Sequence, residues 1–364
     1  MKILLFNPEH DIALATNLKQ FTPPRAGRQL RHDLGFLPML WANDEDLVLV
    51  DDIEKSWQDF KELNILSKGI LVDKHLLKRL LSDNQNRVIN PEPWGWDMPV
   101  WNELNNCGVP IDSLPTSETM DCIRRISHRS WATHHLLNRL TVLPRTLGTA
   151  IELFDITEVE RLLSTKGVVV MKEPWSSSGR GVRRMSWTTT DSKGGIGLAQ
   201  KNWICNVISR QGSIMTEPYY NKVMDFGMEF ESDGQGKVYY VGLSLFATNH
   251  GSYTGNVIDS EDNKMRRLSE KIPFSLLEEV KNNICEILRE HFRGVYAGPF
   301  GIDMMIVQEN EQYLLHPCVE LNLRMTMGHV ALALSQRMLP QKGIMSINYK
   351  KSYHLNIETV AESS

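Results

Sequence analysis

The 364-residue chain has no apolar run approaching the ~18–20 residues of a membrane span. Its start, "MKILLFNPEHD", breaks at Asn7-Pro8-Glu9, short of the roughly 7–15 apolar residues of a secretory core. That start reads as a first strand. Charge of one sign is scarce too: the formal net charge is -4 with no block of like charges, and Arg183-Arg184 and "KMRR" at 264–267 are short, solvated pieces. Neither nucleic acid nor an anionic membrane has an electrostatic footprint here. The five cysteines (107, 122, 205, 285 and 318) are scattered, odd in number and without a C-x-x-C pair. That excludes a disulfide framework and predicts buried thiols in a reducing compartment, so a soluble cytoplasmic protein is expected. There is no Walker phosphate loop, no H-E-x-x-H and no G-x-S-x-G. "GGIG" at 194–197 lacks the third glycine of a dinucleotide fingerprint and reads as a plain turn. His134 and His135 are adjacent and diverge on a helix, which favours surface or packing over a metal site.

What is present reads as a globular protein of two or three domains, with 41% hydrophobic and 23% charged residues. "KILLF" and "DLVLV" are apolar strands separated by the helical "AGRQLRHDLGFL", and "KHLLKRLL" follows with helical spacing. Strands alternating with helices predict a parallel sheet over roughly the first hundred residues. "NPEPWGWDMPVW" (90–101) is rich in Pro and Trp and reads as a loop. The first domain is expected to end near residue 115. Beyond residue 150 the pattern becomes hairpins and helices, an α+β arrangement. "DFGMEFES" and "KVYYVGLSLFAT" meet at Asp233-Gly234-Gln235-Gly236, a hairpin signal. The polar tail after about residue 340 is expected to be peripheral.

Two stretches carry chemistry. In "VVVMKEPWSSSGRGVRRMSW" an apolar strand ends at Lys172 and runs into a loop of serines and glycines. Such a loop lets backbone N–H groups approach an anion closely, and an amine beside it completes a polyphosphate site. A lysine reaching into solvent is the alternative. In the second stretch Asp303 lies in "GIDMMIV", and Glu320, Asn322 and Arg324 lie in "VELNLR". Side chains two apart on a strand share a face, and a hairpin between these strands brings Asp303 to it. Two carboxylates and an amide oxygen form a hard-oxygen set suited to Mg²⁺, which takes its remaining ligands from water and phosphates. The alternative is a solvated face with Arg324 balancing the acids, although Leu314, Leu315 and Val319 around it predict burial.

Taken in order, and with "MTEPYY" at 215–220, these pieces resemble the ATP-grasp superfamily of carboxylate–amine ligases over roughly residues 115–335. The resemblance implies an α/β, Rossmann-like pre-ATP-grasp domain (1–115), then an α+β two-lobed ATP-grasp domain (116–212 and 213–340), then the peripheral tail (341–364). It implies ATP as cofactor, with Lys172 on the phosphates and Ser176, Ser177, Ser178, Gly179, Arg180 and Gly181 closing over them. Glu217 and Tyr219 would border adenine and Asp225 would meet the ribose. Asp303, Glu320 and Asn322 would hold two Mg²⁺, and Arg324 would steady the γ-phosphate. Where many members carry a second lysine, this chain aligns Arg129, which grips phosphate bidentately. The spacing from Asp303 to Glu320 predicts a long hairpin tip at "QENEQ".

The implied reaction is ligation of a carboxylate to an amine or other nucleophile through an acyl phosphate, with small-molecule or peptide substrates. A homodimer is common in the superfamily. Glu9 and Arg25, near the carboxyl end of the first strand, are candidate substrate contacts, since open α/β sheets bind ligands there. The "HGSYTGN" loop (250–256) is a further candidate. The rival readings are a phosphotransferase on the same lobes, which yields no amide, and a non-catalytic nucleotide-binding protein.

Overall fold

The computed structural model describes residues 1–83, 87–176, 179, 181–187, 194–249 and 252–360. Three sheets organise the chain. The first holds β1 (Lys2–Leu5), β2 (Leu47–Leu49), β3 (Ile70–Val72) and β4 (Asn90–Pro93) in the order β3-β2-β1-β4, every pair parallel. Helices connect these strands, so both faces of the sheet are covered and the strands are apolar almost throughout. This is the expected Rossmann-like arrangement. The segment 90–101 is not a loop: it supplies β4 and the start of the helix Met98–Asn106. Pro91 and Pro93 hid the strand, yet they are tolerated because β4 is an edge with one neighbour. Asp97 caps the helix by accepting from Val100 N, with Pro99 in its first turn.

The second sheet is antiparallel: β5 (Ile151–Leu153), β6 (Val168–Lys172), β7 (Val182–Ser186) and β8 (Ile214–Pro218), ordered β5-β8-β6-β7. Val159 and Leu163 from the helix Ile156–Lys166, and Ile204 and Val207 from the helix Leu198–Gln211, pack on Val169, Met171 and Met185.

The third sheet has seven antiparallel strands: β9 (Lys222–Asp233), β10 (Val238–Asn249), β11 (Ser252–Ile258), β12 (Ala297–Glu309), β13 (Gln312–Asn322), β14 (Lys342–Tyr349) and β15 (Tyr353–Val360). Their order is β13-β12-β9-β10-β11-β14-β15. The helix Phe274–Phe292 closes one face, where Phe230 and Phe300 stack at 5.2 Å and Phe292 meets Phe300 edge-on. The β9–β10 hairpin turns where the sequence signalled it, with Asp233 accepting from Gln235 N and Lys237 N.

Two expectations fail here. The segment from 341 onward is a strand pair that extends this sheet beside β11, burying Met345 and Leu355; its alternation of apolar and polar residues reads as polar tail by composition alone. The "QENEQ" tip is also short: Glu309 pairs with Gln312, leaving Asn310 and Glu311, both at positive φ, as a tight turn. The extra length lies in the strands and in a bulge after Asp303.

Candidate nucleotide and metal site

The register of β12 on β13 sets Asp303 opposite Glu320 and Gly301 opposite Asn322. Alternation then keeps Glu320 and Asn322 on one face, and the bulge separates them from His316. Burial, and next the charge of Glu320, push the Asp303 carboxyl up to about 7. Asp225 on β9 pairs in register with Met305, adds its negative field to Asp303 and forms an ion pair with Lys222.

Arg324 closes one end of this face. Its guanidinium donates to Asn322 Oδ1 (2.8 Å) and to Met325 O (3.0 Å), and pairs with Asp11 Oδ2 at 3.0 Å. Asp11 lies in the first turn of the helix His10–Thr16, directly after β1, so the first sheet's domain is tied to the strand of the acids.

Arg129 closes the other side. It begins the short helix Arg129–Ala132, capped by His128. Its Nη2 lies 2.9 Å from Glu320 Oε1 and donates to Ser176 O and Oγ, while Nε donates to Glu173 O. Nη1 is buried with no partner among the described residues. Lys172, at the end of β6, is buried, pairs with Glu217 Oε2 at 2.7 Å and donates to Val319 O at 3.3 Å. Both cations of the second sheet's side are thus seated against carboxylates and β13.

The glycine loop returns close to its start. Glu173 N donates to Gly181 O, and Val182 N donates to Gly179 O. A Cβ at Gly181 would come within 2.5 Å of the Ser176 side chain, so only glycine allows this approach. Gly179 sits at φ +71°. Ser177, Ser178 and Arg180 lie outside the described residues, as do His250 and Gly251 of the "HGSYTGN" loop. Tyr219 is about half exposed, with the Arg184 guanidinium 4.3 Å above its ring.

The two candidate substrate contacts are not brought together. Glu9 is buried and held above the ordinary carboxylate range by desolvation; Arg31 pairs with one oxygen at 3.3 Å and the other has no partner. It lines a cavity of about 560 Å³ with Arg31, Lys74, Lys78 and Glu103. Arg25 is exposed at the start of the helix Arg25–Leu34 and does not line that cavity.

Among the described residues, no three of His, Cys, Asp or Glu converge on a metal. The oxygen set is instead two carboxylates and an amide, which fits Mg²⁺ because that ion needs only one or two carboxylates beside phosphate and water. The unpartnered Arg129 Nη1 fits an additional oxyanion. No described helix is long and apolar enough to cross a membrane.

No protein-family model matches the chain, and no curated protein matches it. Among solved structures, biotin carboxylase from Campylobacter jejuni, in its β-γ-ATP complex, is similar at 13% identity and a TM-score of 0.50, covering 95% of this chain and 75% of that one. The chain has the ATP-grasp fold. Also similar are N5-carboxyaminoimidazole synthetase from Staphylococcus aureus complexed with ADP (12% identity, 100% of this chain and 93% of that one, TM-score 0.49) and L-amino acid ligase from Bacillus licheniformis (11%, 96% and 81%, TM-score 0.47).

Within this fold, Glu229 on β9 is a further acid that the sequence pattern did not single out. The carboxyl is buried, accepts from Thr326 Oγ1 at 2.8 Å and lies 3.1 Å from His329 Nδ1. Burial pushes it up to about 8, and the Thr326 hydroxyl draws it partly back. Glycines make the space: a Cβ at Gly301 or Gly328 would fall 2.4 or 2.0 Å from its oxygens. Those glycines belong to separate elements, and only the sheet brings them together.

Proposed function

We propose that this chain is an ATP-dependent ligase that joins a carboxylate to an amine or another nucleophile through an acyl phosphate, with ADP and phosphate as products. The observation that carries the reading is the paired strands β12 and β13 that set Asp303 opposite Glu320 with Asn322 two residues on, bounded by Arg324 and Arg129 with Lys172 beside them. A partly buried acid pair with cations at its edges suits a metal–polyphosphate complex better than it suits packing.

In this reading Asp303, Glu320 and Asn322 hold Mg²⁺, two ions in all. Bound there, Mg²⁺ neutralises charge on the transferring phosphates. Lys172 and Arg129 exchange their carboxylate partners for phosphate oxygens, with Arg129 Nη1 already free of a protein acceptor. The loop 176–181, with Ser177, Ser178 and Arg180, closes over the phosphates and excludes the water that hydrolyses an acyl phosphate. Glu217 and Tyr219 border adenine, Asp225 takes the ribose, and Arg324 steadies the γ-phosphate and then the acyl phosphate. The substrate carboxylate attacks the γ-phosphorus and ADP departs; the amine then attacks the acyl carbon and phosphate departs. Positioning and charge neutralisation supply the catalysis.

Residues 1–115 supply the acceptor side and residues 116–340 the nucleotide lobes. Asp11, paired with Arg324, links the two, and Glu9 two residues earlier contributes to substrate binding. The test is incubation with MgATP and panels of carboxylic acids, amino acids and short peptides, reading ADP release and new amide mass. A phosphorylated product that yields no amide points to a phosphotransferase instead, and no turnover with any panel counts against the ligase.

A further inference from the structure

His316 lies on β13 four residues before Glu320, across the bulge, and its side chain has no assigned use. His316 is fully buried, and among the described residues neither ring nitrogen has a hydrogen-bond partner. Burial, and next the charge of Lys172, hold the imidazole down at about 3, so it is neutral and carries one donor and one acceptor. Leaving both unmade in a protein interior is costly, and a leucine would fill the same space without that penalty.

His316 lies beside the segment that the proposed function assigns to the base. Tyr220, in the segment that follows Glu217 and Tyr219, covers the ring edge-on at 5.6 Å, and its hydroxyl accepts from Thr149 N. Gly148, at φ +140°, lies so close that a Cβ there would approach His316 Nε2 to 2.8 Å. The loop before it is pinned to β13 by Leu147 N donating to Leu315 O and Leu315 N donating to Arg145 O, both at 2.9 Å. Lys172, placed on the phosphates, is near enough for its charge to reach the ring.

We infer that His316 reads the nucleobase: its unprotonated ring nitrogen accepts from the exocyclic 6-amino group of adenine once Tyr220 has swung aside. The inference rests on the nucleotide site proposed above. It makes His316 a specificity-determining residue that touches no phosphate or metal.

The experiment is calorimetric binding of MgATP and of purine riboside triphosphate, which has hydrogen in place of the 6-amino group, to wild type, His316→Leu and His316→Gln. Wild type is expected to prefer ATP by about tenfold, one hydrogen bond's worth. The leucine variant loses that preference while its Tm holds or rises, and the glutamine variant, which keeps an acceptor, recovers part of it. Equal affinities in wild type, or an unchanged preference in a folded leucine variant, overturn the inference and leave His316 as packing, with MgATP binding intact. Failure of wild type to bind either triphosphate overturns the nucleotide site itself, a pattern distinct from the others. The wild-type preference is informative even if the leucine variant does not fold.

Discussion

Arg129 and Glu320 form an ion pair, 2.9 Å between Nη2 and Oε1, that joins the helix start after residue 128 to the strand of the metal acids. The same guanidinium donates to backbone and hydroxyl oxygens of the glycine loop. One side chain therefore touches both the loop proposed to close on phosphate and the acid proposed to hold Mg²⁺. Its planar fork serves several acceptors at once, which an ammonium cannot do. Arg129→Lys is expected to weaken MgATP binding by about tenfold although the charge is kept. Titration calorimetry on both proteins checks this, and equal affinity contradicts the bidentate role.

Asp11 and Arg324 make the corresponding contact between the first sheet's domain and β13. Both are mostly buried, so removing the acid leaves a cation without its charge partner. Asp11→Ala is expected to cost about 3 kcal/mol, read as a lower denaturation midpoint. An unchanged midpoint contradicts a stabilising role for this pair.

Gly181 tests the loop. A methyl group there meets Ser176 at 2.5 Å and cannot be accommodated unless the loop opens. Gly181→Ala is expected to lower ATP affinity several-fold, read by titration calorimetry. Unchanged affinity would show that the loop does not close on phosphate.

Glu229 gives a pH signature. Its folded carboxyl titrates at about 8, against roughly 4.3 in an unfolded chain. The folded state therefore binds the extra proton between those values. Its stabilising effect is complete below about pH 4.3 and is lost as pH rises through about 8. His329, held down at about 4, works in the opposite direction, so the informative quantity is a difference between proteins. Between pH 5 and 8.5 the Tm of wild type should fall relative to that of Glu229→Gln. Parallel profiles contradict a protonated Glu229.

Much of this was legible in the sequence because it repeats with the period of a strand. Glu320, Asn322 and Arg324 are spaced two apart, and a hairpin was the simplest way to bring Asp303 to them. Lys172 was readable because an apolar strand ended on it. Composition misled where it masked alternation, as with Pro91 and Pro93 in β4 and the polar residues of β14 and β15. Contacts between distant elements were not legible at all. Glu229 owes its site to glycines on β12 and at the start of the helix Met327–Met338. The cation beside Glu9 is Arg31, one helical face away from the arginine expected.

The central claim is that the face of Asp303, Glu320 and Asn322 binds a magnesium nucleotide. Isothermal calorimetry of ATP, with and without Mg²⁺, on wild type and Glu320→Ala addresses it directly. The account predicts Mg²⁺-dependent binding by wild type that is lost in a variant still folded by circular dichroism. Binding that survives the substitution, or a folded wild type that takes up no MgATP, would contradict it.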